Sequence, residues 1–106
     1  CIRREEVPPE HVAQAHRGLE RAREAMLSGE YDIVVLDEVN MALWFGVLEV
    51  EDVLAFLDER PECVEVVLTG RRAPNELIDC ADLVTEMREI KHYYVQGVTA
   101  REGIER

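Results

Sequence analysis

The sequence predicts an α/β domain with a mainly parallel sheet and helices on both faces, a three-layer arrangement. Apolar, β-branched runs at 32–36 and 64–68 alternate with stretches of helical periodicity. Each run stops abruptly at polar residues, Asp37-Glu38 after the first and Thr69-Gly70-Arg71-Arg72 after the second. A buried parallel strand reads this way, and parallel strands bring their tips to one sheet edge, where open α/β sheets bind ligands.

The elements follow in order. Pro8-Pro9-Glu10 opens an amphipathic helix in which Val12, Ala15, Leu19, Ala22 and Met26 recur at helical spacing, and Ser28-Gly29 ends it. A short connection leads to the first strand. Val39 to Val47 is apolar and aromatic, and Glu49-Val50-Glu51-Asp52 then begins a helix carrying Val53, Leu54, Phe56 and Leu57, which Arg60-Pro61 terminates. After the second strand, Pro74 suits the first turn of a helix through Leu77, Ile78 and Cys80. Ala81 to Met87 alternates like a third, shorter strand.

With 106 residues and 47% hydrophobic content, one domain with a modest core is expected. The chain opens on Cys1 rather than methionine, as a truncated stretch, a processed product or a chain shown without its leader would. A formal net charge of -11 disfavours nucleic acid and anionic membrane surfaces as partners. No apolar run spans a bilayer and no secretory h-region follows Cys1, so a cytoplasmic location is expected. Cys1, Cys63 and Cys80 lie far apart, without C-x-x-C or a histidine pair at metal spacing, so zinc is not expected. Cys63 and Cys80 read as small buried residues.

The acidic pair carries the chemistry. A carboxylate at a strand tip can hold a hard cation such as Mg2+ and, through it, a nucleotide phosphate, in the manner of a Walker B element. The competing reading makes Asp37 a helix N-cap. The phosphate loop G-x-x-x-x-G-K-S/T that accompanies a Walker B element needs a lysine, and the only one here is Lys91, in Glu-Ile-Lys-His-Tyr. In Thr69-Gly70-Arg71 the glycine allows close backbone approach and the arginine offers a planar fork to phosphate or carboxylate, and a plain loop with a solvated arginine pair reads equally well. Lys91-His92 reads as surface ion pairing with Glu86 and Glu89. Trp44-Phe45 reads as core rather than interface, and His11 and His16 as solvated surface.

Two families resemble this pattern. Tyr31-Asp32-Ile33-Val34-Val35-Leu36-Asp37, with Thr69 and Lys91 downstream, is similar to a response-regulator receiver domain, which would be phosphorylated on Asp37. Receivers follow the aspartate with methionine-proline, whereas here Glu38-Val39-Asn40 follows. A non-enzymatic α/β dimerisation module is a further alternative.

The chain more closely resembles the P-loop-type ATP:corrinoid adenosyltransferases. The resemblance lies in Val34-Val35-Leu36-Asp37-Glu38-Val39-Asn40-Met41, Leu57-Asp58-Glu59-Arg60-Pro61, Val67-Leu68-Thr69-Gly70-Arg71, the block from Asn75 to Met87, Ile90-Lys91-His92 and the tail from Gly97 to Ile104. It implies a partial RecA-like P-loop NTPase fold, with residues 1–106 as the C-terminal part of a larger domain. It also implies a homodimer, ATP with Mg2+, and transfer of the 5′-deoxyadenosyl group to the Co(I) of a corrinoid in adenosylcobalamin synthesis or salvage. Co(I) is then the nucleophile, so the protein supplies no catalytic residue beyond positioning. Glu38 matches the Mg2+ carboxylate, and Asp37, Thr69, Gly70 and Arg71 fall to the nucleotide. The P-loop precedes the matching region in the family. A stretch without its phosphate donors binds ATP poorly, and catalytic competence is expected of the parent protein rather than of this stretch alone.

Overall fold

The computed structural model describes residues 7–91. Helix α1 spans Pro9–Leu27. Proline at its start lacks an N–H that a first helical turn leaves unpaired anyway, and at its end the Ser28 hydroxyl donates to the Ala25 carbonyl at 2.8 Å. Strand β1 is Ile33–Leu36, and α2 occupies Val39–Phe45, closing on Gly46 at φ 79°. Helix α3 spans Val50–Asp58, begun by a capping box in which the Asp52 carboxylate accepts from the Glu49 N–H at 3.0 Å. The turn that follows it is clasped by Arg60, which donates to the Val64 carbonyl at 2.8 Å. Strand β2 is Glu65–Leu68 and α4 is Asn75–Cys80. Pro74 caps α4 from outside rather than standing in its first turn.

β1 and β2 pair in parallel, Ile33 opposite Glu65 through Leu36 opposite Leu68. Register and direction place Asp37 and Thr69 side by side at the same end. The expected sheet edge is therefore real.

Pleating sends alternate residues to opposite faces. Val34 is buried, with Leu36 and Val66 partly so, against Met26, Phe56 and Val64. Leu36 and Leu68 also pack against the cluster of Val39, Leu43, Leu48, Val53 and Leu77. The helices thus cover this one face. Ile33, Val35 and Val67 on the other face are exposed, so the described residues form two layers and not the expected three.

The expected third strand over 81–87 does not form. Residues 81–87 hydrogen-bond to neither β1 nor β2, which make the two-stranded sheet of the described residues, and Leu83 and Met87 are exposed. Alternation alone does not make a strand without a neighbour to pair with. Cys63 and Cys80 are both exposed, contrary to the expectation of burial. Cys63 lies in the turn before β2, and Cys80 ends a six-residue helix whose buried residue is Leu77.

Candidate functional site

The site is built at the strand tips by four hydrogen bonds between segments 37–40 and 69–70. The Thr69 hydroxyl donates to Asp37 Oδ1 at 2.8 Å and accepts from the Glu38 N–H at 2.9 Å. The Asn40 N–H donates to the Thr69 carbonyl at 3.3 Å, and Asn40 Nδ2 donates to the Gly70 carbonyl at 3.1 Å. The two turns are laced together along their length.

Their backbone is locally unusual. Glu38 adopts the left-handed conformation, φ 59° and ψ 23°, which bends the chain from β1 into α2. A non-glycine residue there costs free energy and persists only where its surroundings hold it. Gly70 has φ 126°, and a Cβ added to it would stand 3.0 Å from Asn40 Cβ. Only glycine lets the turn approach so closely.

Of the residues singled out from the sequence, Asp37, Glu38, Thr69 and Gly70 are brought together. The N-cap reading of Asp37 is corrected. Glu38 holds the cap position, and the Asp37 carboxylate is engaged by Thr69 instead. Both carboxylates are exposed, as is Arg71, which follows the turn. Among the described residues no three His, Cys, Asp or Glu side chains converge as a metal-holding group. Mg2+ does not require such a cage. It keeps several waters and takes one or two carboxylates together with substrate phosphates, a donor set that an exposed Asp37-Glu38 pair fits.

Trp44 is not core. It is 50% exposed, and the Arg72 guanidinium carbon lies 4.4 Å from its ring centroid. Arg72, also left-handed at φ 59°, thereby ties the far side of the 69–72 turn to α2. The sequence offered nothing to distinguish Arg72 from Arg71 for this contact. Asn40 was legible in principle, being a polar residue inside the otherwise apolar run from Val39 to Val47.

His11 and His16 are exposed, as expected, with His16 Nε2 3.9 Å from Asp52 Oδ2. Lys91 is exposed, Glu86 faces Arg88 at 3.9 Å, and His92 with the Gly97–Ile104 motif lies outside the described residues. No helix among the described residues is long and apolar enough to cross a membrane.

A family profile described as ATP:corrinoid adenosyltransferase BtuR/CobO/CobP matches residues 1–106. The chain belongs to that family. It is 44% identical over 95 residues to a corrinoid adenosyltransferase of Sinorhizobium sp., covering 89% of this chain and 44% of that protein. Identity to the corrinoid adenosyltransferase of Pseudomonas aeruginosa is 40% over 94 residues, 89% of this chain and 46% of that one. The Escherichia coli K12 corrinoid adenosyltransferase is 34% identical over 86 residues, 81% and 44% of the two chains. The chain therefore spans less than half the length of these relatives. A match over the whole sequence to an ATP-using transferase family sets the receiver reading of Asp37 aside.

Proposed function

We propose that this chain is the C-terminal portion of an ATP:corrinoid adenosyltransferase, with the Asp37-Glu38 tip on the nucleotide side of its active site. The observation that carries the reading is the tip itself. Two exposed carboxylates end a parallel strand and are hydrogen-bonded to Thr69 at the end of the neighbouring strand, in a chain matched throughout by the family profile.

In the proposed reaction the cobalt of the reduced corrinoid is substrate and nucleophile. Its electron pair forms the Co–C bond to the ribose C5′, the C5′–O bond breaks, and its electrons leave with the triphosphate. No proton need be taken from a protein group, so the chain's task is to orient ATP and balance charge on the leaving phosphates. Bound Mg2+ would supply electrostatic stabilisation of those oxygens. Glu38 is the carboxylate assigned to hold it. Asp37, fixed through Thr69, keeps that turn in place and adds negative charge on the metal's side. Gly70 lets the loop backbone come close to the nucleotide, and Arg71 reaches phosphate with its planar fork.

The same reading carries a RecA-like three-layer domain completed by sequence outside this chain, a cytoplasmic enzyme and a homodimer. Sedimentation equilibrium of the full-length protein tests the dimer, which a monomeric mass would exclude. For the activity, the full-length protein is mixed with ATP, Mg2+ and chemically reduced cobalamin. The adenosylated product should form, and Glu38→Ala should abolish most of it. Absence of product from the wild type, or an unchanged yield from the variant, would refute the assignment.

A further inference from the structure

We propose that Asn40 is a positioning residue for the nucleotide side of this site. Its carboxamide holds the Thr69-Gly70 turn against the Asp37-Glu38 turn, so that the carboxylates and the arginine-bearing loop keep one mutual geometry. The inference rests on the nucleotide reading of the tip.

Three observations converge on Asn40. It is the one buried polar residue of the described core, 5% exposed and two positions beyond Glu38. It makes two hydrogen bonds to the opposite turn, from its N–H to the Thr69 carbonyl and from its Nδ2 to the Gly70 carbonyl, and its Cβ lies where a Cβ on residue 70 would crowd it. Its Oδ1 is buried and finds no hydrogen-bond partner among the described residues.

The orientation of the amide follows from chemistry. A carbonyl oxygen only accepts, so the Gly70 oxygen must face the NH2 group, which leaves Oδ1 on the other side. A buried acceptor without a donor opposes folding. A residue serving stability alone at this position would be apolar, like its neighbours Val39 and Leu43. The donor to Gly70 is what an apolar side chain cannot supply. Departures from local folding rules of this kind gather where a site is being held in place.

Asn40→Ala and Asn40→Asp in the full-length protein test the assignment. Asn40→Ala cannot donate to the Gly70 carbonyl, nor can the ionised carboxylate of Asn40→Asp, and Asn40→Ala also removes the unpaired acceptor. Asn40→Ala should therefore melt close to the wild type. Its kcat/KM for ATP should fall by about tenfold to a hundredfold, the range for removing a group that orients a metal or substrate ligand. The KM for the corrinoid should stay put, and Asn40→Asp should show the same one-sided loss. Calorimetric titration with MgATP should show weaker binding of the same order, a readout independent of turnover. ATP parameters within about twofold of wild type in both variants overturn the proposal, as does an equal loss on both substrates. An Asn40→Ala protein that does not fold overturns it as well, since the residue is then simply part of the core. Failure of the underlying reading looks different, because the wild type itself then forms no adenosylated product, while MgATP titration still decides the role of Asn40.

Discussion

The Thr69 hydroxyl sits between Asp37 and Glu38, donating to the carboxylate of one at 2.8 Å and accepting from the backbone N–H of the other at 2.9 Å. One side chain at the end of β2 thus fixes both residues at the end of β1. Parallel pairing of Leu36 with Leu68 makes this possible, because it sets positions 37 and 69 abreast.

Thr69→Val keeps the shape of the side chain and removes both bonds. The contacts are exposed, so the loss of stability should be modest, about 1–2 kcal/mol for two hydrogen bonds. The loss of activity should be larger, about tenfold or more in kcat/KM for ATP, as for other groups that orient a ligand. Thr69→Ser, which retains the hydroxyl, should recover most of it. Steady-state kinetics on the full-length protein separate the two, and equal activity of the valine and serine variants would remove Thr69 from the site.

Gly70→Ala should be harmful for two reasons that act together. The residue has φ 126°, outside the region that side chains tolerate, and the new Cβ would meet Asn40 Cβ at 3.0 Å. A strained position of this kind costs about 1–3 kcal/mol. The loop must shift to relieve it, so ATP binding should weaken along with the melting temperature. Gly29→Ala is the comparison. It is also left-handed, at φ 79°, but nothing lies within 4 Å of its added Cβ, so it should lose stability without losing affinity for ATP.

The order of elements was legible because short-range rules wrote it. Pro9 at the start of α1, the capping box at Glu49 and Asp52, and the apolar runs before Asp37 and Thr69 each act within a few residues. Adjacency of the strand tips followed from parallel pairing, and it gathered Asp37, Glu38, Thr69 and Gly70 as expected. What escaped depends on neighbours distant in sequence. Leu83, Val84 and Met87 have strand-like alternation but no strand among the described residues to pair with, and Trp44 is large and apolar yet lies half exposed beneath Arg72. Cysteine type says little about a position in a turn, so the burial expected of Cys63 failed. The backbone reversal at Glu38 has no sequence signature, since glutamate is not a residue that favours a positive φ.

Core and edge can be told apart with one residue type. Met26 is wholly buried between α1 and the sheet, whereas Met87 is 95% exposed. Met26→Ala should cost about 2–5 kcal/mol, the range for truncating a buried large side chain. Met87→Ala should lie within about 0.5 kcal/mol of wild type. Denaturant unfolding of the full-length variants measures both. A large loss at Met87 would show that the side chain is covered in the full-length protein.

The ion pair between α1 and the end of α3 should make stability depend on pH in one direction. Arg23 Nε and Nη2 donate to Glu59 Oε2 and Oε1 at 2.5 and 2.8 Å. These bonds, more than the charge of the guanidinium, hold the Glu59 carboxyl below its ordinary range, and they raise Arg23 above its own. A carboxyl depressed in the folded state contributes stability above its unfolded pKa, about 4.3 for glutamate, and that contribution disappears as pH falls through the lower folded value. The raised Arg23 acts in the opposite sense, but its contribution is lost only at strongly alkaline pH. Glu59→Gln should therefore lower the melting temperature at about pH 7 and make no difference well below the folded pKa of Glu59. Both partners are substantially solvent-exposed, so the difference should be small and should shrink further in high salt. A gap between wild type and variant that persists unchanged into acid would show that Glu59 acts through packing and not through its charge.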